Sequence, residues 1–222
     1  IAILALSFVS FLGVQSASAM EGFSVGVAFN QTAFMGTGKE TMTGSGGDTT
    51  KAKVTEEEGA FEDTVESFFA EYAANDVLSI GVERFFDSVK TPENKNIQQT
   101  KTTGAGNISN TVKASFSDKT TVYIQARMLG GLYTKIMYHN VNVVSQESLG
   151  TDGAYGDATV EGLGLGIGYQ YDLDDMGIFV RAEVNASGYE DIKAINTNDV
   201  DKTITIDSMY GAEGSIRVGK TF

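Results

Sequence analysis

The chain has no cysteine and no tryptophan, and only one proline (Pro92) and one histidine (His139) in 222 residues. Without cysteine there is no disulfide, no thiolate metal site, no thiol nucleophile and no lipid-bearing thiol. A lone histidine leaves little scope for imidazole-based metal or acid–base chemistry. Positive charge is also scarce: 16 Lys and Arg stand against 29 Asp and Glu, a formal charge of −13. That balance excludes nucleic acid as a partner, because phosphate binding needs basic surface. The excess acid is expected on polar segments facing salty water, with a cation-attracting vestibule as the sharper alternative. The near-absence of proline beside 26 glycines suits strands that curve and still keep their ladder hydrogen bonds.

Long hydrophobic runs are missing as well. The only extended apolar stretch opens the sequence, from Ile1 to Val14. It is shorter than the roughly 20 residues a membrane helix needs. With Ala17-Ser18-Ala19 at its end it reads as a cleaved export signal over residues 1–19, although a basic n-region and an initiator Met are absent. The expected mature domain is then 20–222.

What is present after Ala19 is alternation with a period of two. Eight segments show it: Glu21–Met35, Thr64–Ala74, Val77–Phe86, Asn107–Arg127, Leu132–Val144, Gly162–Tyr171, Ile178–Tyr189 and Thr203–Phe222. Gly162–Tyr171 is the clearest, with Leu163, Leu165, Ile167 and Tyr169 on one face and Gly162, Gly164, Gly166 and Gly168 on the other. Short turn signals at Asn75-Asp76, Gly130-Gly131 and Leu173–Gly177 alternate with long polar connections. A spanning structure without helices must be a closed barrel, because hydrocarbon leaves no other way to satisfy the backbone. The fold expected is all-β: an eight-stranded antiparallel up-and-down transmembrane β-barrel with long extracellular loops and short periplasmic turns.

The charges support this register. Glu71, Glu83, Lys135, Arg181, Glu183 and Arg217 all fall on the face opposite the apolar one. Each lies a few residues in from the short-turn end, roughly 8–15 Å above the rim. Glu213 shares that face. An eight-stranded barrel is only wide enough to be filled by side chains, so these groups are expected to form an interior ion-pair network. The network is a structural plug in the first reading and an ion path in the second. Glycines 162–168 would leave room for the long arginines. Two residues disturb the scheme: Arg84 has lipid-facing parity near the upper end of its strand, where snorkelling or a bulge would accommodate it, and Lys220 interrupts the outward row beside Phe222.

On these residues the chain resembles the small eight-stranded outer-membrane barrels of the OmpA/OmpX-like superfamily, over essentially all of 20–222. The most specific element is the ending Ser215-Ile216-Arg217-Val218-Gly219-Lys220-Thr221-Phe222. The resemblance implies a carboxy-terminal signal for the barrel-assembly machinery, carried by Tyr210, Ile216, Val218 and Phe222. It implies location in a bacterial outer membrane, with lipid and lipopolysaccharide as neighbours and an extracellular partner for the loops. No cofactor, metal or catalytic residue is expected.

The functional expectation is therefore an integral barrel with a structural or surface-interaction role, not an enzyme. A narrow cation-preferring channel is the alternative. His139 with Ser145 or Asp157 is the only constellation resembling a catalytic site, and no local spacing supports it. Asp172, Asp174 and Asp175 read as a hydrated turn before they read as a calcium site. An exposed hairpin formed by Asn107–Arg127 and Leu132–Val144 would be available to add a strand to a partner.

Overall fold

The computed structural model describes residues 22–44, 48–99, 107–148, 154–173, 176–198 and 200–222. The expected export signal, 1–19, lies outside the described residues, as do Asp174 and Asp175 of the short turn. The strands are β1 (Phe23–Gly44), β2 (Asp48–Ala73), β3 (Leu78–Phe85), β4 (Val89–Lys90), β5 (Asn94–Gln99), β6 (Asn107–Arg127), β7 (Leu132–Ser148), β8 (Ala158–Asp172), β9 (Ile178–Tyr189), β10 (Ile192–Ile195) and β11 (Lys202–Thr221).

Eight of them form a ring in the order β1-β2-β3-β6-β7-β8-β9-β11. β11 returns to β1 antiparallel, from Ser24↔Thr221 to Met42↔Lys202, and closes it. Closure leaves no sheet edge at membrane depth. β4 and β5 continue the lane of β3 along β6, and β10 continues the lane of β9 along β11. Glycine makes two of the short turns possible. Gly130 and Gly131 take φ of 72° and 87° between β6 and β7, and Gly177 takes 80° before β9.

The strands alternate between an exposed and a buried face, as in β3, where every second residue is buried. The exposed face is the apolar one. Val82, Ile80, Ile124, Ile136, Leu163, Leu165 and Val184 are between 40% and 68% exposed. A contiguous belt of this kind is foreign to a water-solvated surface and is what hydrocarbon requires. From Tyr171 to Leu163 it rises roughly 20 Å at about 3.3 Å per residue and a tilt near 40°. Above it the outward positions turn polar: Gln31, Glu66, Arg84, Thr120, Asn140, Glu161 and Glu190.

Three polar stretches expected as loops carry strands instead. β1 and β2 pair from Phe23↔Tyr72 to Gly44↔Asp48, so residues 36–44 and 48–63 form a long ribbon. β5 lies within 87–106 and β10 within 190–202. The alternation signal vanishes there because neither face of the ribbon meets lipid, while backbone pairing persists. Pro92 falls between β4 and β5, where no ladder donor is lost.

Arg84 does point outward. It forms an ion pair with Asp118 and donates to Thr120 Oγ1 at 3.1 Å. Asp118 sits at φ 55° in a bulge, where the β6–β7 register shifts between Ser117 and Thr120. The second disturbing cation, Lys220, places its Nζ 5.1 Å from the Phe222 ring centroid.

Candidate functional site

The interior is filled in two storeys. The lower one, toward the short turns, is ionic. The Arg181 guanidinium, carried inward by β9, donates to both carboxylate oxygens of Glu71 on β2, at 2.8 and 3.0 Å. A fork-to-fork pair of this kind fixes orientation as well as charge. The same guanidinium packs against the rings of Phe179, Tyr133 and Phe69, with centroids 4.4, 5.4 and 5.8 Å away. Its Nε donates to Gln170 Oε1 at 2.8 Å.

A second cluster surrounds Arg217 on β11. Its Nη1 lies 2.7 Å from Glu83 Oε2 and its Nη2 lies 2.9 Å from Glu183 Oε1. Glu183 also takes Lys135, at 2.7 Å, and the Tyr133 hydroxyl, at 2.8 Å. Tyr123 donates to Glu71 at 3.2 Å, and Ser67 donates to Glu83 at 2.6 Å. Asn185 bridges Glu183 and Glu213, at 2.8 and 3.1 Å. The side chains of Lys135 and Glu183 are fully buried. Glu71, Glu83, Lys135, Arg181, Glu183, Glu213 and Arg217 each make an ion pair inside the ring.

Those seven carry four carboxylates and three cations, which leaves a buried charge of −1. The structure adds Lys119, whose Nζ lies 2.7 Å from Glu213 Oε2 with both side chains 8% exposed. The layer is then balanced at four against four. Parity alone places Lys119 inside, two residues above Thr121, and the surplus carboxylate asks for one more cation. The bulge at Asp118, just above it, ends the legible alternation at this point.

The glycines facing this layer serve a purpose other than the one expected. A Cβ on Gly166 would lie 2.1 Å from Asn185 Oδ1, one on Gly168 would lie 2.3 Å from Tyr133 Cζ, and one on Gly162 would lie 2.4 Å from Tyr189 Cδ1. The space they leave is taken by Asn185 and Tyr133, which hold carboxylates, and by the Tyr189 ring, not by the arginines themselves.

The upper storey is apolar. Phe34, Val65, Phe85, Val89, Phe116, Val141, Val143, Val160, Ile192 and Met209 form one buried cluster inside the barrel mouth. Phe34 stacks on Phe61 and Phe116, at 5.6 and 5.4 Å between centroids, and meets Tyr189 at 5.7 Å. The Lys119 ammonium lies 4.4 Å from the Phe85 ring centroid, where the two storeys meet.

His139 is held between two hydroxyls. Thr121 Oγ1 is 2.9 Å from Nδ1 and Ser187 Oγ is 2.9 Å from Nε2. Ser145 and Asp157 do approach each other, through the Ser145 amide and Asp157 Oδ1 at 3.1 Å, but away from the imidazole. At the chain end, Tyr210, Ile216 and Val218 point outward at 57%, 52% and 41% exposure. Phe222 closes the ring by donating its amide to the Phe23 carbonyl at 2.8 Å.

A closed ring with lipid-facing apolar residues and a filled, ionised interior defines a class: the small eight-stranded outer-membrane β-barrels. No protein-family model matches the chain, and no curated protein sequence matches it. Among solved structures it is similar to the outer membrane protein OprG from Pseudomonas aeruginosa, with 13% identity, 91% of this chain and 97% of that chain covered, and a TM-score of 0.55. It is also similar to the outer membrane protease OmpT from Escherichia coli (8% identity, 94% and 99% covered, TM-score 0.48) and to the outer membrane protein AlkL (14% identity, 94% of each covered, TM-score 0.46). The likeness to OprG establishes the fold and nothing finer.

Proposed function

We propose that the protein is an integral outer-membrane barrel, closed to ions and without catalytic activity, that holds acidic β-ribbons above the cell surface for contact with an extracellular partner. The observation that carries this reading is the doubly filled lumen: a balanced ionic layer beneath a packed apolar one. An ion would have to cross both, and the ten clustered side chains of the upper layer are apolar and cannot replace its water. The ribbons supply the other half. β2 has 26 residues, roughly 65 Å of rise at about 3.3 Å per residue and a tilt near 40°, against an apolar band of about 25 Å. Outer-membrane lipid and lipopolysaccharide then contact the belt, and assembly proceeds through the barrel-assembly machinery reading Tyr210, Ile216, Val218 and Phe222.

Planar-bilayer recording of the refolded chain tests the closed lumen. No unitary conductance is expected. Steady cation-selective openings that disappear in Glu71→Gln would replace this reading with the narrow channel.

A further inference from the structure

The long ribbon leaves one strand half paired. β2 has β1 beside it along its length, but β3 beside it only from Ala73 to Ser67. Above that point, residues 54–60 are exposed at every position, on both faces. Backbone direction follows from two hydrogen bonds. Ala73 donates its amide to the Gly22 carbonyl, on the β1 side, at 2.7 Å. Glu66 accepts from the Phe86 amide, on the β3 side, at 2.9 Å. The β1–β2 register runs without a shift from Phe23↔Tyr72 to Met42↔Lys53. Even-numbered residues of β2 therefore present both N–H and C=O to the β3 side. For Val54, Glu56, Glu58, Ala60 and Glu62 no strand is hydrogen-bonded on that side among the described residues; β4, in the lane of β3, comes near β2 without pairing to it. The next amide, Thr64, is satisfied locally by Asp63 Oδ1 at 2.9 Å.

The side chains on this edge are selective. The inward parity of Val65, Ser67, Phe69 and Glu71 places Glu56, Glu58 and Glu62 together on the outward face. Across on β1 they meet Lys39, Thr37 and Ala33. Only Glu56 finds a cation there, Lys39 at 3.3 Å. Glu58 and Glu62 have no ion-pair partner among the described residues. On the inward face Gly59 has open space where a side chain would be, next to Phe61, which packs on the apolar cluster. An edge of this length invites strand addition. A second copy of the chain is disfavoured, because two such edges would set carboxylates against carboxylates, and like charges directly opposite in a ladder are destabilising.

We propose that the free edge of β2 from Val54 to Glu62 takes up an extended basic segment of another protein as an added strand. Lys or Arg on one face of that segment would lie against Glu56, Glu58 and Glu62, and an apolar side chain on its other face would fill the space at Gly59. The inference rests on the surface-display reading and names the kind of partner that the ribbon fits.

The test uses the refolded full chain in detergent and a labelled nine-residue peptide. The peptide has Lys at positions 1, 3 and 7, matching the spacing of Glu56, Glu58 and Glu62, and Phe at the opposite-face position that meets Gly59. Saturable binding is expected by fluorescence anisotropy. It should weaken at least tenfold in the triple variant Glu56→Lys, Glu58→Lys, Glu62→Lys, and at least tenfold in Ala60→Pro, which removes one edge-facing N–H without touching the β1 ladder. Hydrogen exchange should slow at Glu56, Glu58, Ala60 and Glu62 on binding, with the odd-numbered amides unchanged. Binding that survives Ala60→Pro would overturn the proposal in favour of simple charge attraction. Edge amides already protected without peptide would overturn it in favour of pairing within the chain. Conductance of the same preparation separates the two readings. A conducting barrel that still binds peptide sinks only the closed-lumen reading, and a silent barrel that ignores the peptide sinks only this one.

Discussion

Lys119 and Glu213 are 94 residues apart in sequence and meet at 2.7 Å inside the barrel. Their contact completes the neutralisation of the interior layer and joins it to the aromatic storey above. Removing one partner of a buried pair leaves an uncompensated charge, at a cost of about 3–5 kcal/mol. Lys119→Met is therefore expected to lower the unfolding free energy of the refolded barrel, read by urea titration, by that order. Adding Glu213→Gln should recover most of the loss. Equal stability of the single and double variants would show that the two groups are not coupled.

The pair formed by Arg181 and Glu71 makes a sharper test, because both oxygens of the carboxylate are engaged. Arg181→Glu sets two carboxylates against each other and should markedly lower the temperature at which the folded band shifts on a gel. The exchanged variant, Glu71→Arg with Arg181→Glu, should regain part of it. An unchanged transition in Arg181→Glu alone would mean that the ionic layer contributes nothing to stability.

Glycine on the inner face can be tested by adding one carbon. A methyl at Gly168 would fall 2.3 Å from Tyr133 Cζ, and Tyr133 cannot retreat because its hydroxyl donates to Glu183 at 2.8 Å. Gly168→Ala should cost about 1–3 kcal/mol, as overpacking does. Gly59→Ala, with nothing within 4 Å, should leave the unfolding free energy within about 0.5 kcal/mol of the parent. Equal effects at the two sites would contradict the packing described here.

Leu165, 66% exposed in the middle of the belt, distinguishes lipid from water. Leu165→Arg should reduce folding into vesicles by about 2–4 kcal/mol. Glu58→Arg, above the belt, should fold as the parent does. If Leu165→Arg folds equally well, the belt is not facing hydrocarbon.

The eight membrane strands were legible because lipid imposes a rule on every second residue. Leu163, Leu165 and Ile167 must be apolar where Gly164 and Gly166 need not be. The inward charges were legible for the same reason, as exceptions confined to one parity. Lys119 shares that parity, two residues above Thr121, so the same rule reaches it before the bulge at Asp118 interrupts the count. The ribbon over 36–44 and 48–63 was not legible, since Thr, Gly, Lys and Glu in water can be loop or strand with equal ease, and only pairing with β1 and β11 decides between them.

The sequence by itself determined which residues face hydrocarbon and which are enclosed, because a two-residue period and the energetic cost of a charge in lipid act on each strand locally. Tertiary structure decided which carboxylate meets which cation, how aromatic rings occupy the space beside the glycines, and where β2 loses its neighbour. Those depend on stagger between strands far apart in the chain, and no local pattern encodes that.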